Sequence, residues 1–292
     1  MNRRALAAAL VTAAILGTAG CGSDTSAGEQ EPASGPTRHH GSPSGPSSPS
    51  SSAPADQVTV PVYFVGQTPQ GPRLYREFRR VDAADPLGAA LTLAASGEAL
   101  DPDYGTVLPA GTFRTSGDAA IPLPDDSWQK LPAGMAEADA QLAIQQLVYT
   151  AQGVLQSRDP ITFTDADGNP TQIFYTASED GFRAADPIKT LALVSVTTPG
   201  SNATVSGSFT ASGVSSSFEA TTPWEIRDAS DQVVKKGSAT AEGWMDKLYP
   251  WQTEIDVSGL EPGVYTFVAM TDDPSGGEGG GPTVDTKTII VK

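Results

Sequence analysis

Histidine is nearly missing from this chain. Its two copies, His39 and His40, lie in a Ser-, Pro- and Gly-rich stretch ahead of the first patterned segment. A Ser-His-Asp or Cys-His mechanism and a histidine-based zinc site are thereby excluded from the patterned region. Two adjacent histidines are too few ligands for a structural metal. Cysteine is scarcer still: Cys21 is the single copy in 292 residues. No intramolecular disulfide can form, so the core must hold the fold unaided. Positive charge is short as well, with 18 Lys and Arg against 34 Asp and Glu and a formal net charge of −16. Such a chain repels phosphate backbones and is a poor nucleic-acid partner, while the charge favours solubility. No apolar run reaches the roughly 20 residues of a spanning helix. The glycines from Gly276 to Gly281 lack the lysine and following helix of a phosphate loop. No cofactor and no metal are expected.

What is present begins with MNRRALAAALVTAAILGTAGC. Arg3 and Arg4 form a basic start, Ala5 to Leu16 an apolar stretch, and Gly17 to Gly20 a run of small residues before Cys21. That order is secretory. At Ala19, Gly20 and Cys21 it resembles the lipobox of bacterial lipoproteins, and it departs at Thr18, where a larger aliphatic residue is usual. The resemblance implies a signal peptide over 1–20 and a lipid on Cys21. The protein is then expected outside the cytoplasm, anchored to the cell membrane through that lipid. Removal of the leader leaves 16 basic residues against 34 acidic ones.

Residues 21–57 read as the lipidated cysteine and a tether. GSDTSAGEQEPASGPTRHHGSPSGPSSPSSSAPADQ has too little apolar surface to offset the entropy of ordering. A chain of that length spans roughly 30–36 Å if glycine-like, and more where proline stiffens it.

Order is expected from Val58. VTVPVYFV alternates as a strand, with Pro61 suited to an edge or a bulge because it cannot donate. A Gly/Pro turn leads to a second strand, Leu74 to Val81. Asp85 then caps a helix whose first residue is Pro86, whose stripe is Leu87, Ala90, Leu91 and Ala94, and whose end is Ser96-Gly97. Short strands are expected at Phe113 to Thr115 and Ala119 to Leu123. A second helix runs from about Ala136 to Gln156, with Ala140, Ile144, Leu147, Val148, Ala151, Val154 and Leu155 on one face. Strands at Ile161 to Thr164 and Gln172 to Thr176 flank a turn. The reading for 58–180 is an α+β domain, two helices on a mainly antiparallel sheet.

From about Lys189 the helical period stops. Short strands are expected at Leu191 to Val196, Thr204 to Ala211, Ser217 to Ala220, Trp224 to Asp228, Gln232 to Lys235, Gln252 to Val257, Gly263 to Met270 and Thr286 to Val291. Their spacing over 189–292 is that of an all-β sandwich of immunoglobulin type, without the antibody cysteine pair. Phe209, Trp224, Ile226, Tyr265 and Phe267 are its core candidates, and Trp251 joins them on alternation. The link from Ala177 to Ile188 is short, so the domains are expected to pack.

VTVPVYFV, RLYREFRRV, the Asp85-Pro86 helix, DPDY (Asp101 to Tyr104), LPAGT (Leu108 to Thr112) and the second helix together resemble the GerMN domain, the sporulation and spore germination domain. The later stretch, with Thr198-Pro199-Gly200, Val205-Ser206-Gly207, Phe218-Glu219 and Pro262-Gly263-Val264-Tyr265, resembles the immunoglobulin-like domain of bacterial spore germination. The resemblance implies non-catalytic envelope modules and carries over no catalytic residue. It does not imply germination as such, since GerMN domains also occur in lipoproteins of bacteria that never sporulate.

Three kinds of residue group bear on chemistry. Asp101 with Asp103, or Asp125 with Asp126, is the kind of carboxylate pair a glycosidase holds roughly 5–9.5 Å apart, but proline-flanked turn sequence favours solvated aspartates. Asp165-Ala166-Asp167-Gly168-Asn169 begins like a calcium loop and fails at Pro170 and Thr176, where glycine and glutamate are needed. Trp244, Met245, Leu248 and Tyr249 sit outside regular alternation and form a candidate contact patch for a glycan or a protein. The expected protein is a non-enzymatic, lipid-anchored one presenting two binding modules to an envelope complex or peptidoglycan. The alternatives are a carboxylate-dependent enzyme on envelope polysaccharide and a small-ligand or cation-binding lipoprotein.

Overall fold

The computed structural model describes residues 56–273, 276–278 and 280–292. The leader, Cys21 and the tether up to residue 55 lie outside the described residues. The chain forms an α+β domain followed by an all-β sandwich.

The first domain opens on a long hairpin, β1 (Gln57–Thr68) and β2 (Gly71–Asp82), in antiparallel register from Gln57↔Asp82 to Thr68↔Gly71. Alternation sends Val60, Val62 and Phe64 into the core. Pro61 lies on an edge, as its missing N–H requires: among the described strands β1 pairs with β2 alone, and the far end of its other edge is met at Val65 by an isolated bridge to Gly105. Helix α2 lies along the other edge. Thr150 Oγ1 accepts from the Tyr63 N–H at 3.1 Å, and Gln146 Nε2 donates to the Tyr63 carbonyl at 2.9 Å. These side chains occupy backbone groups that would otherwise recruit a foreign strand. Gly153 permits the approach, since a Cβ there would meet Pro61 Cγ at 2.7 Å.

Helix α1 (Pro86–Ser96) begins as its sequence dictates. Asp85 Oδ1 accepts from the Gly88 N–H at 2.8 Å, and Gly97 ends the helix at φ 69°. Its buried stripe, Leu87, Ala90, Leu91 and Ala94, faces the same core as that of α2 (Glu137–Leu155). Trp128 is fully buried between Phe113, edge-on at 5.1 Å, and Phe174, stacked at 5.6 Å. Burial of such a side chain contributes about 1.5–3 kcal/mol.

The expected sheet is smaller than its sequence suggested. Strands β3 (Ala120–Pro122) and β4 (Thr162–Thr164) pair in parallel, because α2 carries the chain back before β4 begins. Phe113 to Thr115 is not a strand: its N–H groups turn to Thr92 Oγ1 and Asp85 Oδ2. Gln172 to Thr176 is a turn, with Phe174 and Tyr175 at φ 48° and 61° and their N–H groups on the carbonyls of Trp128 and Gln129. A one-turn helix, α3 (Pro187–Thr190), capped by Asp186, leads out of the domain. The Ala192 N–H then bonds the Leu74 carbonyl at 3.0 Å, so the connecting segment covers the outer edge of β2.

The sandwich consists of β5 (Val194–Thr198), β6 (Ala203–Val205), β7 (Ser208–Ser215), β8 (Thr221–Arg227), β9 (Val233–Thr240), β10 (Tyr249–Asp256), β11 (Gly263–Met270) and β12 (Val284–Val291). One sheet runs β10-β7-β5 and the other β6-β12-β11-β8-β9. The run expected as one strand from Thr204 divides at Gly207, φ 60°, where the chain crosses between sheets. Ser217 to Ala220 is a 3₁₀ turn rather than a strand, with Glu219 and Ala220 at φ 51° and 59°. Trp224, Ile226, Trp251 and Phe267 are buried in the core, while Phe209 and Tyr265 pack against it half-buried. The Trp251 ring crosses β7 at Gly213, whose Cβ would meet the Ser195 carbonyl oxygen and that ring at once.

Candidate functional site

The two domains meet along β2, whose alternation feeds two sites. Tyr75 and Glu77 point one way, Leu74 and Arg76 the other.

On the first side lies a buried charge cluster. Asp285 and Lys287 occupy the inward positions of β12, in phase with Ile289 and Val291. Lys287 Nζ donates to Asp101 Oδ2 at 2.5 Å, Tyr104 Oη at 2.7 Å and Asp285 Oδ1 at 2.8 Å, which uses all three of its protons. The Tyr104 hydroxyl donates to Asp285 Oδ1 at 2.5 Å, and the Val196 N–H to Asp285 Oδ2 at 2.5 Å. Glu77 fixes the loop that brings Asp101 here by accepting from the N–H groups of Leu100 and Asp101. Tyr75 stacks on Tyr104 at 4.7 Å and donates to the Val284 carbonyl. Burial pushes the Asp285 carboxyl up, against the pull of Lys287. Burial also pulls the Lys287 ammonium down, but the carboxylates of Asp285 and Asp101 outweigh it and hold Lys287 above its usual value.

Asp101 is therefore not the solvated turn residue expected from its proline-flanked sequence. It is 2 % exposed and committed to Lys287. Asp103 accepts from Thr286 Oγ1 at 2.6 Å, so this pair of acids fastens one domain to the other. Asp125 caps a 3₁₀ turn, and Asp165 accepts from the N–H groups of Asp167 and Asn169 within its own turn. Among the described residues, no three His, Cys, Asp or Glu side chains are placed to hold a metal ion, and no helix is long and apolar enough to cross a membrane.

On the other side of β2 is a cavity of about 480 Å³, built by both domains and the connecting segment. Tyr63 and Tyr149 form one wall, with ring centroids 5.3 Å apart. Arg76 is half-buried beside them; Arg158, Arg183 and Lys247 are exposed around it. No carboxylate lines the cavity, and none of these four cations has an ion-pair partner among the described residues. Two polar atoms of its lining residues are buried and have no partner among the described residues: Arg76 Nε, a donor, and Gln152 Oε1, an acceptor. Sequence reading missed this site because its cations come from four separate segments.

The four residues of the sequence-derived contact patch divide. Trp244 and Met245 are exposed, at 37 % and 68 %, and Phe218 joins them edge-on to Trp244 at 5.2 Å. Leu248 turns inward to the cavity. Tyr249 packs half-buried on the sandwich core and donates to Asp246 at 2.8 Å. Met245 sits at φ 88°, with its N–H on Ser216 Oγ, and this turn holds its side chain outward.

Residues 61–172 match the family model described as sporulation and spore germination. Residues 193–278 match the one described as the immunoglobulin-like domain of bacterial spore germination. Neither description names an enzyme. No curated protein matches the chain.

Proposed function

We propose, for a chain that joins a sporulation and spore germination domain to the immunoglobulin-like domain of bacterial spore germination, a non-catalytic role as a lipid-anchored envelope protein. The lipid sits on Cys21, the tether spaces the folded part from the membrane, and the two modules contact an envelope protein complex or peptidoglycan. The observation that carries this reading is the commitment of the central acids to joining the modules: Asp101 to Lys287 and Asp103 to Thr286. The exposed Phe218, Trp244 and Met245 supply an apolar contact surface on the second module.

Detergent phase partitioning of the full chain, expressed in a bacterium, tests the anchor. The wild type is expected in the detergent phase and Cys21→Ser in the aqueous phase; identical partitioning of the two defeats the anchor. A photocrosslinker at position 245 tests the contact. It is expected to yield an adduct with an envelope protein or peptidoglycan that the same group at the exposed Ser230 does not give. Equal yields at both positions remove the patch from the proposal.

A further inference from the structure

The cavity beside β2 has the wrong charge for this protein. In a chain of net charge −16, Arg76, Arg158, Arg183 and Lys247 surround one opening that no carboxylate lines. Unpaired cations drawn to one place repel each other, so their gathering costs stability unless something anionic joins them. Arg76 is the most telling. Its guanidinium reaches Thr197 Oγ1 at 3.4 Å, faces the Tyr63 hydroxyl and lies over the Phe78 ring at 4.9 Å, and its Nε–H has no acceptor among the described residues. A buried donor left unmet is destabilising until an acceptor reaches it.

We propose that this cavity binds a phosphorylated sugar or polyol. Three features select that chemistry. Three guanidiniums and an ammonium suit a multiply charged phosphoryl group, which arginine binds in a bidentate manner, better than a single carboxylate. Gln152 Oε1 has no partner among the described residues while its Nε2 donates to the Asp159 carbonyl at 2.9 Å; a small shift of this lining side chain brings it to a ligand hydroxyl, whereas the phosphoryl dianion of an ester offers it no proton. The Tyr63 and Tyr149 rings offer flat faces to the C–H surface of a sugar or polyol body. The volume of about 480 Å³ falls within the range for small-ligand sites. The ligand is a free phosphate ester or a unit of a phosphate-linked envelope polymer. This inference stands apart from the anchor and the contact patch, because the cavity residues are the same whether or not Cys21 carries lipid.

Calorimetric titration of the full chain with glucose 1-phosphate, glucose, inorganic phosphate and a glycerol-phosphate oligomer tests it. Glucose 1-phosphate is expected to bind saturably, at least tenfold more tightly than glucose or inorganic phosphate, and more weakly as salt rises. Arg76→Gln is expected to weaken it at least tenfold. The double variant Arg158→Gln/Arg183→Gln, at exposed positions that folding tolerates, is expected to do the same. Gln152→Met should narrow the preference for glucose 1-phosphate over inorganic phosphate. Tighter binding of the oligomer identifies a polymer unit as the source, and equal or weaker binding a free ester. Absence of saturable binding by both the sugar phosphate and the oligomer overturns the proposal, as does binding that the exposed double variant leaves unchanged.

Discussion

Two groups of charges lie back to back across β2, and they are resolved in opposite ways. Lys287 spends all three protons on Asp101, Tyr104 and Asp285 inside the protein. Arg76, one residue along β2 from Tyr75, meets no carboxylate among the described residues, and neither do the three cations around it. The difference separates charge that joins two domains from charge held open. A saturated cluster keeps its cation's protons inside the fold, where they act on stability. An open one contributes little to stability and leaves part of its hydrogen-bonding capacity unused.

That contrast can be broken most sharply at Lys287. Lys287→Met leaves two buried carboxylates without their cation and is expected to cost about 3–5 kcal/mol, read by chemical denaturation. Combining it with Asp101→Leu and Asp285→Leu removes the stranded charges, and most of the loss should return. If the triple variant is no more stable than the single one, the cluster supplies packing that apolar side chains cannot replace. Tyr104→Phe deletes the hydroxyl shared by Asp285 and Lys287 and is expected to cost about 1.5–3 kcal/mol.

Alkaline pH addresses the same cluster without mutation. Lys287 is held above its usual 10.5, so its contribution is complete below that value and is lost as pH rises through the folded-state value. Tyr104, raised by burial and by the charges of Asp285 and Asp101, keeps its proton when the unfolded phenol has begun to lose it near 10. Both effects have one sign, so stability should fall as pH climbs above about 10. A thermal melt of Lys287→Met across that range should show a shallower fall.

The smallest effect is expected on the open side. Arg158→Gln/Arg183→Gln should change stability by no more than about 0.5 kcal/mol, measured in the same denaturation series. A loss of several kcal/mol would place those arginines in the framework and erase the contrast between the two sides.

The helices and the long hairpin were legible because local rules and tertiary packing agreed there. Asp85, Pro86 and Gly97 delimit α1 in the sequence as they do in space. Legibility failed where side chains took over backbone hydrogen bonds, as Thr92 and Asp85 do for Phe113 and Thr115. It failed too where residues other than glycine adopt positive φ, as at Phe174, Tyr175 and Glu219. The cluster left one readable trace: Asp285 and Lys287 share the parity of Ile289 and Val291, which places charge on an inward face. Its partners in the first domain were hidden, because Asp101 is 186 positions from Lys287 and looks like ordinary turn sequence. The contact patch was half legible. Aromatic residues outside alternation marked Trp244 and Met245, but nothing local indicated that Leu248 would face a cavity or that Phe218 would reach Trp244.

The hairpin has a mechanical consequence. The chain enters β1 at Gln57, opposite Asp82, so the entering and leaving ends lie together and the turn lies at the far end. A force drawn through the N-terminal segment therefore loads the ladder as a zipper, one pair after another from Gln57 onward, rather than shearing all its bonds in parallel. The first stop along that path is Val60, buried in the core, and beyond it the Tyr63 backbone is gripped on its other edge by Thr150 and Gln146 of α2. The exposed segment from Gln57 to Thr59 thus forms a short yielding element in series with the domain, able to lengthen under load before the first core side chain, Val60, is drawn out.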